Sequence, residues 1–234
     1  MYCIKNKMFI AFIVLVFGLI ACTSNEIGES KDVAQEKIYQ EYYITHAEGN
    51  NYAEVTCQYR FGGKNGTTLV LNNPSQVSFD GEKLAVDSND VRGAFYKIVK
   101  PLTTFYGKHN IAFTNIDKKN YENGFSFDSF RVIIPAMANA NKALEIKFET
   151  SSLNPDDYIE IRTTDSDSSF AISHYGKDAG NLIVIPAEEM KRQKAKTIEL
   201  EATLFKSIPL QQNTTEGGKM ELTYSLKPTK VKLQ

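Results

Sequence analysis

Three kinds of residue in this chain have chemistry that spacing could organise: cysteines, histidines with carboxylates, and aromatic rings. Cys22 carries the clearest pattern. Lys5 and Lys7 give a positive start, residues 8–20 are apolar and uncharged, and the small Ala21 stands directly before the cysteine. This is the layout of an export signal that is cut at that point. The apolar run falls short of the ~18 residues that a membrane-crossing helix needs, and the chain turns polar at Thr23. Of the three cysteines, Cys3 leaves with the signal, so Cys57 is the one thiol in the folded body. It alternates in phase with Val55, Tyr59 and Phe61, which predicts a small buried hydrophobe and not a nucleophile. No intramolecular disulfide can form in the mature chain, and stability must come from core burial.

The remaining polar chemistry is sparse. His46, His109 and His174 lie far apart in sequence with no paired ligand spacing, so the pattern nominates no metal site, no triad and no cofactor, and the histidines are expected in solvated loops. Asp165-Ser166-Asp167-Ser168-Ser169 spaces its acids like a calcium loop, but Phe170 stands where such a loop needs glycine, and the segment reads as an acidic hairpin loop. Gly62-Gly63-Lys64-Asn65-Gly66 opens no helix; without that context it is a turn and not a phosphate cradle. No carboxylate pair can be nominated for catalysis. The rings are the better lead. Tyr42 and Tyr43 near the first strand, beside Tyr39, and Phe105 and Tyr106 in a loop could form a platform for a sugar or a partner. Strand alternation sends Tyr42 and Tyr43 to opposite faces, so at least one is exposed. Tryptophan is absent, which weakens a sugar platform without removing it.

The elements that must hold these residues are strands. Residues 38–45 are rich in Tyr and Ile, Glu48-Gly49-Asn50-Asn51 turns the chain, and residues 53–61 follow as a second strand. Asn65-Gly66, Asn72-Asn73-Pro74, Asp80-Gly81 and Tyr106-Gly107 punctuate further strands at 67–71, 77–79, 94–99 and 111–115. Later the alternation is cleaner. Leu144, Ile146 and Phe148 oppose Glu145, Lys147 and Glu149, and Ile159 and Ile161 oppose Glu160 and Arg162. Ile198, Leu200, Ala202 and Leu204, then Met220, Leu222, Tyr224 and Leu226, keep one face apolar to the C-terminus. One short helix is expected after residues 182–185, where Pro186 and two acids precede a basic run.

This grammar predicts an all-β fold of two tandem immunoglobulin-like antiparallel β-sandwiches, the helix falling in the second. The expected division is an export signal over 1–21, the modified cysteine and a polar, flexible tether over 22–36, and sandwiches over 37–128 and 129–234, each of a size that folds alone. Formal net charge is −1 with both signs interspersed, which is no footprint for nucleic acid.

Leu19-Ile20-Ala21-Cys22 resembles the lipobox of bacterial lipoproteins. The resemblance implies that Cys22 takes a diacylglycerol, that its freed amine is open to acylation, and that the acyl chains hold the protein on a membrane. Glu26 and Glu29 resemble the acidic export tags of surface lipoproteins in the Bacteroidota. Val77-Ser78-Phe79-Asp80-Gly81-Glu82-Lys83-Leu84, Ile133-Ile134-Pro135, Leu182-Ile183-Val184-Ile185-Pro186-Ala187-Glu188-Glu189-Met190 and Glu216-Gly217-Gly218-Lys219-Met220 together resemble Bacteroidota lipoproteins with tandem immunoglobulin-like domains. That likeness implies an outer-membrane address, surface-exposed or facing the periplasm, and assigns no activity. The expectation is a non-enzymatic interaction module whose partner is another envelope protein or a glycan. A pilus subunit or anchor assembling by strand addition is the alternative, and an envelope hydrolase the third.

Overall fold

Alternating burial organises many of the strands in the computed structural model, which describes residues 26–163 and 168–234. The export signal, Cys22, and Asp165, Ser166 and Asp167 of the acidic loop lie outside the described residues. The first half holds β1 (Ile27–Glu29), β2 (Ile38–Ala47), β3 (Tyr52–Phe61), β4 (Thr67–Val70), β5 (Gln76–Phe79), β6 (Glu82–Lys83), β7 (Val86–Asn89), β8 (Gly93–Pro101), β9 (Gly107–Thr114) and β10 (Asn120–Phe127). There follow β11 (Arg131–Ile133), β12 (Met137–Ala138), β13 (Leu144–Glu149), β14 (Tyr158–Thr163), β15 (Ala171–Tyr175) and β16 (Leu182–Ile185). The short helix α1 (Ala187–Arg192) leads into β17 (Thr197–Ile208), β18 (Gly218–Ser225) and β19 (Thr229–Leu233). The fold is all-β with sandwiched sheets. No helix among the described residues is long and apolar enough to cross a membrane.

Both halves build one long sheet, in the order β1-β4-β3-β2-β18-β17-β14-β15, with β8 and β7 beside β3, and β19 and β12 beside β17. Two smaller sheets back it: β10-β9-β5-β6 behind the first half and β11-β13-β16 behind the second. Most pairs are antiparallel, as expected. The join is not: β2 runs parallel to β18 in continuous register from Gln40↔Gly218 to Ala47↔Ser225. Gly218 is required where the seam begins, because a Cβ there would come within 2.3 Å of the Gln40 carbonyl oxygen. The sheet therefore passes without a break between the segments expected as separate sandwiches.

The core follows the same continuity. Tyr42, Ile44, Val55, Cys57 and Tyr59 point inward from β2 and β3, and Met220, Leu222, Leu200 and Leu204 do so from β18 and β17; all belong to one buried cluster. Phe127, fully buried at the end of β10, stacks on Tyr224 of β18 at 5.6 Å between ring centroids and meets His46 of β2 edge-on at 6.1 Å. Burying one such ring contributes about 1.5–3 kcal/mol. The segment joining β17 to β18 also reaches across to the first half. Gln211 and Gln212 occupy the free edge of β10: their side-chain oxygens accept from the backbone N–H of Gly124 (2.7 Å) and Glu122 (3.0 Å), and Gln212 N–H donates to Asn123 Oδ1 (3.1 Å). Two backbone N–H groups of that edge are thereby satisfied within the chain.

The expected tether is docked over its second half. β1 adds in parallel to β4, with Ile27 opposite Thr68 and Glu29 opposite Val70. Ser30 is buried and its Oγ accepts from Asn72 N–H at 2.9 Å, while the Gln35 amide donates to the Ser30 and Val33 carbonyls at 2.7 and 2.8 Å. Polar composition signalled solvation here, but these polar groups are satisfied by the edge of β4, the loop after it and the carbonyls of the segment itself.

Three outcomes are expected. Calorimetry should give one unfolding transition for both halves, and a fragment ending at Asp128 should fail to fold because it exposes the β2 edge; two separate transitions would contradict the shared sheet. Phe127→Ala should cost about 3–5 kcal/mol in a denaturant titration. Burial pushes the Cys57 thiol well above its ordinary range, so it should resist a thiol reagent at pH 8 in the native state and react once denaturant is added.

Candidate functional site

The outer face of the long sheet carries the side chains that alternate away from the core. Register places Tyr43 opposite Thr56, Thr45 opposite Glu54, and Glu41 opposite Gln58 on β2 and β3. β8 continues the rows with Lys97 opposite Thr56 and Val99 opposite Glu54. Over this floor stands the turn between β7 and β8. Asn89 Oδ1 accepts from the Val91 and Arg92 N–H groups at 3.1 and 2.8 Å, an Asx turn that fixes the tip. Gly93 follows at φ +71°, so close to β4 that a Cβ would stand 2.2 Å from Thr68 Oγ1. Together they aim the Arg92 side chain back over the sheet, its guanidinium 5.8 Å from the centre of the buried Phe95 ring. Tyr43, Thr45, Glu54, Thr56, Gln58, Arg92 and Phe95 line a cleft of about 370 Å³.

Most charges around the cleft are neutralised in place. Lys97 pairs with Glu54 at 3.2 Å, and the Thr56 hydroxyl donates to the same carboxylate at 3.3 Å. Arg60 holds Glu41 at 2.8 Å and donates to Gln58 Oε1 at 2.7 Å; the Gln58 amide donates onward to the Arg92 carbonyl at 2.6 Å. Tyr43 is itself held. Its hydroxyl donates to Glu41 at 3.2 Å, and the Lys219 ammonium from β18 lies 4.7 Å from its ring centre. Burial pulls the Lys219 pKa down, but Tyr43 and Glu221 outweigh it and hold it at about 12. Burial raises the Tyr43 pKa, against the opposing pull of Lys219. What results is a fixed aromatic wall, hydroxyl groups on the floor, and a guanidinium at the rim. These are features for holding a polar ligand with one flat apolar face.

The same outer face carries a second aromatic group. Tyr158 stacks on Phe205 at 4.7 Å and packs against Tyr175 at 5.4 Å. Phe205 lies opposite Thr223, which lies opposite Thr45, so about 10 Å of sheet separates this group from the cleft floor. Sequence reasoning missed these rings. The signal was present, since Tyr158 and Phe205 occupy the outward phase of strands whose inward residues are aliphatic.

The four ring residues expected to act together are scattered. Tyr43 lines the cleft. Tyr42 is fully buried on the opposite face, edge-on to Tyr59 at 6.3 Å and donating to Gln40 Oε1 at 2.8 Å, so it is core and no platform. Phe105 is also fully buried, stacked on His109 at 4.4 Å and on Phe79 at 5.9 Å; a loop position does not imply exposure where the loop folds under a sheet. Tyr106 is exposed, but its ring leans on Phe127 at 5.6 Å, away from the cleft. The histidines also depart from expectation. None lies in a solvated loop: all three sit on strands, packed against rings. His46 faces the Tyr52 carbonyl at 2.8 Å, and His109 has Asp80 at one nitrogen (2.7 Å) and the Phe105 carbonyl at the other (2.6 Å). Partners of this kind make burial of an imidazole affordable. Among the described residues no group of His, Cys, Asp and Glu is placed to hold a metal ion.

No family model matches this chain, and no curated protein matches it. Among solved structures it is similar to the adhesin InvE of Yersinia pseudotuberculosis, at 11% identity and a TM-score of 0.21, over 83% of this chain. The chain spans 60% of that adhesin's length.

Replacement of Gly93 by alanine should disturb the cleft before the core. Positive φ and the Thr68 contact should together cost about 1–3 kcal/mol, and NMR shifts should change at Arg92 and Phe95; a variant as stable as the parent would show that the turn tolerates a side chain.

Proposed function

We propose that the protein is a non-enzymatic binding module of the cell envelope, held on the membrane by acyl chains at Cys22, that presents the cleft around Tyr43 to a glycan. One observation carries the reading. The Tyr43 ring is immobilised by Glu41 on its hydroxyl and Lys219 on its face, with threonine hydroxyls beside it. A ring locked before binding loses little entropy when a sugar stacks on it. The cleft is of small-ligand size, whereas a stable protein interface covers about 800 Å² on each partner.

The anchor follows from the signal, the Leu19-Ile20-Ala21-Cys22 pattern and the resemblance these carry. Residues 26–37, docked beside β4, would then hold the body close to its attachment point.

A glycan array probed with the mature protein tests the reading. Tyr43→Ala should reduce binding at least tenfold, about 1.4 kcal/mol or more, while Tyr106→Ala should leave it unchanged. The opposite result would move the site off the long sheet. Mass spectrometry of the native protein should find diacylglycerol on Cys22; a free thiol there would remove the anchor.

A further inference from the structure

The cleft is electrically asymmetric. Lys97 is committed to Glu54 at 3.2 Å, Arg60 to Glu41 at 2.8 Å and Lys219 to Glu221 at 3.1 Å. Among the described residues, Arg92 is the lining cation that forms no salt bridge. Its backbone is held by the Asn89 turn, Gly93 sits against Thr68, and its guanidinium lies 5.8 Å from the centre of the Phe95 ring. A guanidinium braced on a ring keeps its N–H edge free, and that edge matches a carboxylate with two parallel hydrogen bonds.

We infer that the cleft recognises an acidic saccharide, with the uronate or sialate carboxylate on Arg92 and the sugar ring against Tyr43. This rests on the glycan-binding reading above and adds its chemical class. A single positive charge suits a single carboxylate. With Lys97 and Arg60 committed to Glu54 and Glu41, a phosphate or sulfate cluster would bring more negative charge than the one remaining guanidinium offsets. The Thr45 and Thr56 hydroxyls on the floor are within the same cleft for the sugar hydroxyls.

The test is calorimetric titration of the mature full-length protein with hexameric oligogalacturonate, hexameric hyaluronan and sialyllactose, each beside its methyl ester. The ester keeps the ring and removes the charge. At least one acid should bind, with its ester at least about tenfold weaker, and affinity should fall as salt rises. Arg92→Gln should weaken the acid about tenfold or more and leave the ester unchanged, with an unaltered melting temperature. Equal binding of acid and ester, or an Arg92→Gln variant that binds like the parent, overturns the acidic assignment. Loss of that residual binding in Tyr43→Ala would leave the glycan reading standing. If Tyr43→Ala binds both forms as the parent does, the glycan reading at this cleft falls with it. Binding of neutral array glycans but none of the acids overturns the assignment alone, and no binding to any saccharide overturns both.

Discussion

The parallel pairing of β2 with β18 is the contact on which the rest of the architecture depends. It joins a strand from the start of the body to one near its end, and each covers an edge that would otherwise present unpaired N–H and C=O groups. Once they pair, the two backing sheets must cover a common inner face. Phe127, Tyr224 and His46 fill the place where the backing sheets would otherwise leave that face open. The pairing is demanding at one point, Gly218, where the backbones approach too closely for any side chain.

The same continuity explains why the outer face can act as a surface. A sheet held from behind by a shared core has little freedom to flex between its halves. The rows of outward residues, from Tyr175 and Tyr158 through Phe205 and Thr223 to Thr45 and Glu54, therefore keep fixed spacing. On that floor the β7–β8 turn is the added part. It touches the sheet through Phe95 and Thr68 and turns a flat surface into a cleft with a wall and a rim.

Particular residues show how much was legible beforehand. β17, β18, β13 and β14 were readable because aliphatic and charged residues alternate without interruption. β10 is hard to read in the sequence: its inward residues Tyr121, Asn123, Phe125 and Phe127 are separated by Asn, Glu, Gly and Ser types that also make turns, and the buried Asn123 is satisfied by Gln212, far away in sequence. β1 was hidden for a similar reason, since three residues of ordinary composition become a strand only when β4 offers an edge. In the candidate site, alternation separated Tyr42 from Tyr43 and left open which of them faced the core.

By itself the sequence determined the class of fold, the positions of most strands, the short helix after Pro186 and the apolar phase of the cleanly alternating strands, because these depend on near neighbours along one chain. It also set the pattern before Cys22. Only the tertiary structure decided that the halves share a sheet, that residues 27–37 dock, that the histidines are buried, and that Tyr43 meets Arg92 across a cleft. Each of these depends on partners distant in sequence, and a local pattern holds no information about which unpaired edge, carbonyl or ring will arrive from elsewhere.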